Sequence, residues 1–330
     1  MERGSRGKNL SSERFAPWSP KATHSTPSRL ACLPELVQTS LMDYQGRIIR
    51  PPSEAESILL QVTTGCSHGK CTFCGAYQGK RFSIKPEDVV TKDIGYAARH
   101  FPDQRRLFLC DGDALIMPQA RLVGLLDEIR SALPRLTRIG SYANAKAVAR
   151  KTDAELRELR RHGLGMLYMG LESGHDPTLR RVKKYGDAAF LVQQGQRLRD
   201  AGFRLNVTVL LGLGGPDQSL EHARATGAAL SAMDPDQAAA LTLMLIPGTP
   251  LHAEAQSGHF RELTAHEALV ELRELLAHTH LTRGLFLSDH ASNRLPLQVR
   301  LPKGREKALA RIDAALAGGV RLKPEALRRL

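Results

Sequence analysis

Seven short apolar runs, residues 58–62, 107–109, 138–142, 166–171, 205–211, 240–246 and 284–287, are each separated by a stretch long enough to hold a helix. Alternation of this kind, with few hairpin signals, predicts parallel strands with helices packed outside them. Three of the helices can be read directly. One opens on a capping box, Thr152-Asp153-Ala154-Glu155, carries Leu156 and Leu159 on one face and stops at Gly163. A second starts at Asp187, runs through Phe190, Leu191 and Leu198 and ends at Gly202, and a third covers residues 119–132. No GxGxxG follows the first run, so a barrel or partial barrel is expected rather than a dinucleotide-binding sheet. In such a barrel the loops at the carboxyl ends of the strands meet at one mouth.

The loop leaving the first strand, Thr63-Thr64-Gly65-Cys66-Ser67-His68-Gly69-Lys70-Cys71-Thr72-Phe73-Cys74-Gly75-Ala76-Tyr77, packs three cysteines into nine residues. The chain has five cysteines, the others being Cys32 and Cys110. An odd number with three clustered suits a metal site in a reducing compartment better than a disulfide framework. Three thiolates can hold three irons of a four-iron cluster and leave the fourth iron open to another ligand. Zinc is the alternative, with His68 completing a set with Cys66, Cys71 and Cys74. Structural zinc sites usually pair two short knuckles across a longer gap, and no second pair follows here, which favours iron and sulfur.

The 330 residues, 42% hydrophobic and 25% charged, have the composition of an ordinary globular protein. No apolar stretch approaches the roughly 18 residues that span a bilayer, so a soluble, cytoplasmic protein without a membrane partner is expected. Residues 1–50, rich in Ser, Pro, Arg and Lys, read as a disordered tail. They lack the apolar segment of a secretory signal, and Glu2 and Glu13 count against a transit peptide. The net charge of +13 lies at the ends. Residues 1–50 hold eight basic and four acidic side chains and residues 294–330 ten and three, leaving about +2 for 51–293. A catalytic groove for RNA would carry the charge itself, so nucleic acid is the less favoured partner.

A three-cysteine loop after the first strand of a (β/α)6-like chain resembles the radical S-adenosylmethionine superfamily. Phe73 directly before Cys74, and the Gly75-Ala76-Tyr77 that follows, fit the superfamily's cluster loop. Four residues separate Cys66 from Cys71, one more than in its usual Cys-x3-Cys-x2-Cys form. Later strand ends match in order. Cys110-Asp111-Gly112-Asp113-Ala114 stands where the family has a Gly-Gly-Glu-like turn, which implies that Gly112 and Asp113 bind the amino group of the cofactor's methionine. Tyr168-Met169-Gly170-Leu171-Glu172-Ser173-Gly174, followed by Lys183-Lys184, is similar to the oxygen-independent coproporphyrinogen oxidase-like and cobalamin-dependent branches. There Glu172 would contact the ribose or methionine portion and Lys184 the cofactor carboxylate. The resemblance further places Thr208 near the ribose, and Leu210 to Gly212 near the adenine, with Ile246-Pro247-Gly248-Thr249-Pro250 closing over it.

The resemblance implies a partial (β/α)6 TIM-like barrel of α/β class over residues 51–290, followed by a C-terminal extension, 291–330, in which Ala308, Ile312 and Leu316 are spaced for one face of a closing helix over 304–317. It implies a [4Fe–4S] cluster on Cys66, Cys71 and Cys74 that binds S-adenosylmethionine. It also implies an electron from a flavodoxin- or ferredoxin-like donor that cleaves the sulfonium bond, and a 5′-deoxyadenosyl radical that abstracts hydrogen from a small substrate. Cys32 and Cys110 do not suffice for a second four-iron cluster of the usual kind. Asp289, His290 and Asn293 follow the last strand and become candidate substrate contacts, with Tyr142 and Asn144 at the end of the third strand in a similar position. An RNA-modifying enzyme of the same superfamily and a non-catalytic metal-binding scaffold are the competing readings.

Overall fold

The computed structural model of the protein describes residues 42–329; Cys32 and all but residues 42–50 of the expected tail lie outside the described residues. One sheet runs through the molecule with its eight strands in chain order. They are β1 (Ile58–Gln61), β2 (Arg106–Cys110), β3 (Arg138–Ala143), β4 (Leu164–Glu172), β5 (Arg204–Leu211), β6 (Gln237–Thr242), β7 (Leu285–Leu287) and β8 (Gln298–Arg300). The first seven are parallel and β8 returns antiparallel to β7. Helices fill the crossovers: α1 (Glu87–His100), α2 (Gln119–Ala132), α3 (Ala145–Val148), α4 (Asp153–Arg161), α5 (Asp176–Arg181), α6 (Ala188–Asp200), α7 (Ser219–Met233), α8 (Pro250–Gln256) and α9 (Ala265–Ala277), and α10 (Arg305–Leu316) follows β8. This is the partial TIM-like barrel that the alternation predicts.

Strand side chains point alternately to two faces, and here the faces differ. Leu107 and Leu109 of β2, Leu167, Met169 and Leu171 of β4, and Leu205, Val207, Val209 and Leu211 of β5 enter the main core beneath the helices. The intervening residues face inward. Phe108, Cys110, Met166 and Tyr168 form a smaller cluster there with Leu59 and Tyr142. Its rings meet edge to face, Phe108 and Tyr142 at 5.1 Å and Phe108 and Tyr168 at 5.7 Å, an arrangement that aromatic quadrupoles favour. Glu54, fully buried ahead of β1, accepts from Tyr168 Oη at 2.5 Å, Ser57 Oγ at 2.5 Å and Arg138 Nη2 at 2.7 Å. Its charge is thereby paired and hydrogen bonded at the amino end of the strands, as a buried carboxylate requires.

An edge strand exposes unpaired backbone groups. Residues 42–50, the end of the stretch read as a tail, run along the β1 edge. Tyr44 Oη donates to the Leu59 carbonyl at 2.7 Å, and the Gln61 side chain accepts from the Gln45 N–H at 2.8 Å and donates to its carbonyl at 3.2 Å. Asp93 of α1 holds the same segment through the Asp43 N–H at 2.7 Å, and it pairs at 3.0 Å with Lys85, which is 1% exposed.

The helix signals are found where the sequence places them. Thr152 and Glu155 form the capping box of α4, and Asp187 caps α6 by accepting the Phe190 N–H at 2.8 Å. The C-terminal helix is α10, whose Ala308, Ile312 and Ala315 enter the main core. The sixth strand differs: it begins at Gln237 and ends at Thr242, not at 240–246. The apolar run continues past the sheet because Leu243 and Leu245 serve a second cluster with Val182, Leu213, Leu251 and Phe260, against which Phe73 also packs. Among the described residues no helix is long and apolar enough to cross a membrane.

Candidate functional site

The three-cysteine loop leaves β1 through a short ladder in which Thr63 and Thr64 pair antiparallel with Ile84 and Ser83. It is then fastened at the carboxyl ends of four other strands. The Gly112 N–H donates to the Gly65 carbonyl at 3.1 Å, tying the loop to the β2 exit. The Lys146 ammonium, after β3, donates to the Ser67 carbonyl at 3.0 Å. After β4, the Lys183 carbonyl accepts from His68 Nε2 at 2.8 Å, and the Val182 carbonyl accepts from the Thr72 N–H at 3.0 Å. The Thr72 carbonyl in turn accepts from the Leu251 N–H at the start of α8, beyond β6. Long-range bonds of this kind hold the cysteines where loop entropy alone would not.

Close packing removes further freedom. A Cβ on Gly75 would lie 2.4 Å from Ile246 Cγ2, and one on Gly112 would lie 2.8 Å from the Gly65 carbonyl and 3.1 Å from Cys66 Cβ. Three non-glycine residues at the mouth adopt positive φ: Asp111 at 65°, Glu172 at 63° and Lys183 at 53°. Such backbone costs of order 1–3 kcal/mol per residue and tends to gather at functional sites. Asp111, fully buried, is held by Gln61 Nε2 at 2.9 Å, the Gly65 N–H at 3.3 Å and Lys80 at 3.4 Å.

Cys66, Cys71 and Cys74 are free thiols at half-buried positions. Burial pushes the Cys71 thiol up to about 12 and raises Cys74 as well. A metal that binds there must therefore displace protons. Asn144 Nδ2 donates to Cys66 Sγ at 3.6 Å, so the residue expected near a substrate lies against one of the three clustered cysteines. His68 is engaged with the Lys183 carbonyl rather than completing a set with the cysteines. Among the described residues no three His, Cys, Asp or Glu side chains gather closely enough for a single metal ion. The cysteines of a four-iron cluster bind different irons and need not converge on one point.

The predicted cofactor contacts line the same mouth. Asp113 is fully buried; Ser67 Oγ donates to one of its carboxylate oxygens while the other has no partner, and burial pushes its carboxyl up to about 6. Glu172 Oε1 and Lys184 Nζ pair at 3.0 Å beside the bulge between Gly170 and Glu172. Burial pulls the Lys184 ammonium down, but Glu172 and the nearby Cys71 and Cys66 outweigh it and leave it raised. Thr208 sits in register with Gly170 and Ala239, and Phe73 and Leu210 pack on one apolar cluster. Gly212, at φ 83°, turns the chain out of β5. Three free thiols, an unpaired carboxylate oxygen, a cation held by a carboxylate and a close-packed glycine turn fit a cluster that carries a charged amino-acid cofactor.

The candidate substrate contacts lie on the turn from β7 to β8. Asp289 is exposed and accepts from Gln298 Nε2 at 2.5 Å, and His290 Nδ1 lies 2.9 Å from Ser292 Oγ. Asn293 is 2% exposed and built into the wall, donating to the Ala240 carbonyl and accepting from Thr242 Oγ1, both at 2.8 Å. Sequence reasoning missed Glu271 of α9, which accepts the Gly212 N–H at 2.6 Å and the Ser219 hydroxyl. Its signal was a carboxylate on an otherwise apolar helix face, among Ala268, Leu272 and Leu275.

The family description "Radical SAM superfamily" matches residues 60–227. No curated protein matches the sequence. Among solved structures, the chain is similar to coproporphyrinogen III oxidase (HemN) from Escherichia coli, with TM-score 0.50 and 18% identity over 67% of this chain and 51% of that one. It is similar to the radical S-adenosylmethionine methyltransferase TsrM from Kitasatospora setae, a structure with cobalamin and a [4Fe-4S] cluster bound, with TM-score 0.50 and 19% identity over 63% and 41%. Methylornithine synthase (PylB) matches with TM-score 0.48 and 18% identity over 68% and 63%. The match thus spans less than two thirds of the length of each of these proteins, and at such identities the likeness is one of fold. With a family match over half of its length, laid on a parallel sheet whose first strand delivers three clustered thiols to the mouth, the chain belongs to the radical S-adenosylmethionine superfamily, whose members use a [4Fe-4S] cluster and S-adenosylmethionine.

Proposed function

We propose that this protein is an enzyme that cleaves S-adenosylmethionine reductively at a [4Fe–4S] cluster held by Cys66, Cys71 and Cys74, and that it acts on a small substrate. The observation that carries this reading is the fastening of the three-cysteine loop to the β4 and β6 exits through Thr72, beside the Glu172–Lys184 pair. When bound, the cluster and cofactor supply one-electron cleavage of the sulfonium bond and a 5′-deoxyadenosyl radical able to abstract hydrogen.

The chain's own residues bind, orient and exclude water. Lys184, fixed by Glu172, would offer a cation to the cofactor's carboxylate, and the unpaired oxygen of Asp113 would offer an acceptor to its amino group. Glu172 and Thr208, on β4 and β5, which pair through Gly170 and Thr208, would hold the cofactor's ribose. Phe73 and Leu210, packed on one apolar cluster, and the Gly212 turn beside them would face the adenine. Asn144 donates to Cys66 Sγ, and donors to a cluster sulfur tune its potential. Asp289 and His290 are the substrate contacts of this reading, with Asn293 fixing the turn that carries them. Residues 51–290 form the catalytic barrel and 291–330 its closing extension.

The test is anaerobic reconstitution with iron and sulfide, reduction with dithionite in the presence of S-adenosylmethionine, and assay for 5′-deoxyadenosine. Formation that depends on all three cysteines is the expected result. A protein holding one zinc ion, or a reduced cluster that never cleaves the cofactor, would overturn the reading.

A further inference from the structure

We propose that Arg50, Arg204 and Arg300 make this enzyme select a substrate with an anionic head group, and that the apolar body of that substrate lies on the inner face of β5 to β8. The inference deepens the function proposed above and rests on it, since only that function makes a molecule lying here a substrate.

The two halves of the inner face differ. Over β1 to β4 it is covered: Ile48, from the segment ahead of β1, packs on the cluster of Phe108, Cys110, Met166 and Tyr168, all of them buried. Over β5 to β8 the outward residues Val207, Ala238 and Phe286 are buried in the main core, whereas the inward ones, Thr208, Ala239, Leu241, Leu285 and Leu287, stay partly open. A largely apolar recess with a few polar groups is the usual form of a small-molecule site. Strand register sorts this face into layers. Thr208, Ala239, Leu287 and Gln298 share the layer at the cofactor end. The next holds Asn206, Gln237, Leu285 and Arg300, with the Asn206 amide donating to the Gln237 side chain at 2.9 Å. Arg204 lies one step further, on the same face of β5. It is about 13 Å along the strand from Thr208, so an extended molecule whose head sits at Arg204 brings its far end to the cofactor contacts.

Charge separates the two halves as well. Arg106 and Arg138 open β2 and β3, and each has a carboxylate partner, Glu56 at 2.9 Å and Glu54 at 2.7 Å. Arg204 and Arg300 are exposed and make no ion pair among the described residues; Asp236, near the start of β5, accepts the Leu205 N–H at 2.9 Å. Arg50 is the third such cation. It is exposed two residues after Ile48, and its charge opposes the upward push that burial gives the Tyr142 hydroxyl, so it stands at the inner face. Tyr142 pairs with Tyr168 and Tyr168 with Asn206, which puts Arg50 beside the layer that ends in Arg300. Guanidinium groups bind a carboxylate or a phosphate through paired N–H donors, and Leu241, Leu285 and Leu287 gain by covering an apolar chain.

The experiment titrates the reconstituted enzyme with dansyl-labelled undecanoic acid and competes the probe with decanoate, decyl phosphate, decanol and decylammonium, with iron content as the control for an intact cluster. Decanoate or decyl phosphate is expected to bind about tenfold or more tightly than decanol, and the better of the two names the head group. Decylammonium should not compete. Arg204→Gln and Arg300→Gln should each weaken the anion about tenfold and leave decanol within about twofold, a contrast that a merely structural role would not give. Ala239→Phe should exclude anion and alcohol alike. Arg283→Gln, at an exposed arginine just ahead of β7, should change neither. Equal affinity for decanoate, decyl phosphate and decanol, a preference for decylammonium, or the same loss in Arg283→Gln would overturn the proposal. Wild-type protein that forms 5′-deoxyadenosine with dithionite but binds neither anion overturns the anionic substrate alone. Protein that binds the anion through these arginines yet never forms 5′-deoxyadenosine overturns the underlying function, and the substrate role with it.

Discussion

Glu271 accepts the backbone N–H of Gly212 at 2.6 Å although 59 residues separate them in the chain. The carboxylate is fully buried, its second oxygen accepts the Ser219 hydroxyl, and His222 Nδ1 lies 3.2 Å from the first. One side chain thus fixes the glycine turn after β5 and the start of α7. Glu271→Ala would strand two buried donors, at about 1–3 kcal/mol each, whereas Glu271→Gln keeps an acceptor oxygen. Urea unfolding should show a much lower midpoint for the alanine variant than for the glutamine variant. Equal midpoints would mean that the carboxylate does not hold the turn.

The ligand assignment predicts a contrast among cysteines. Cys66→Ser, Cys71→Ser and Cys74→Ser should each lose most of their iron and the visible absorbance of the cluster after anaerobic reconstitution. Cys110→Ser should keep both, because Cys110 is buried in the inner cluster with Phe108 and Tyr168.

Gly75 and Ile246 form a contact that can be broken and repaired. A methyl at Gly75 meets Ile246 Cγ2 at 2.4 Å, so Gly75→Ala should displace the loop beside Cys74 and lower iron incorporation several-fold. Adding Ile246→Ala leaves the Ile246 Cβ position, 3.1 Å away, as that side chain's nearest atom and should restore most of the iron. Failure of the double variant to recover would show that the loop depends on Gly75 for some other reason.

Lys85 and Asp93 are a buried pair at 3.0 Å, 1% and 4% exposed. Removing Asp93 leaves the buried Lys85 ammonium only the half-exposed Asp43 carboxylate at 3.9 Å, and Asp93→Ala should lower unfolding free energy toward the lower end of about 3–5 kcal/mol. Denaturant titration checks it. The double variant Lys85→Met, Asp93→Leu should lose far less, since no charge is then left alone.

At α9, Thr264 and Glu267 form a capping box, and Arg261 donates to both Glu267 oxygens at 2.8 Å. The Arg261 guanidinium and the Thr264 N–H hold the Glu267 carboxyl down from 4.5 to about 2. A depressed carboxyl contributes stability that is present above its unfolded value and lost as pH falls from about 4.5 toward 2. The pair is exposed to solvent, so the effect is small. Thermal melts between pH 5 and 2.5, scanned in steps of about half a unit, should slope less steeply for Glu267→Gln than for wild type. Thr264→Ala should cost about 1 kcal/mol at neutral pH through loss of the cap.

Local signals carried much of this protein in plain text. The alternation of apolar runs, the capping residues Thr152 and Asp187, and the spacing of Cys66, Cys71 and Cys74 depend on neighbours a few residues away, and the structure keeps them. Backbone propensity and side-chain periodicity act at that range, so a one-dimensional reading reaches them. The end of β6 was misread because an apolar run reports burial and not hydrogen bonding: Leu243 and Leu245 are apolar for the sake of Phe260 and Val182, not of a strand.

What tertiary structure decided are the partners. Nothing near Asn144 says that it meets Cys66, 78 residues away, and nothing near Asn293 says that its amide is used up by Ala240 and Thr242. A buried polar group must find a partner, and the sequence states that need at Glu271, Asp93 and Glu54 without naming who meets it. The answer comes only when folding brings segments that are distant along the chain together, because a hydrogen bond acts over about 3 Å whatever the separation along the chain.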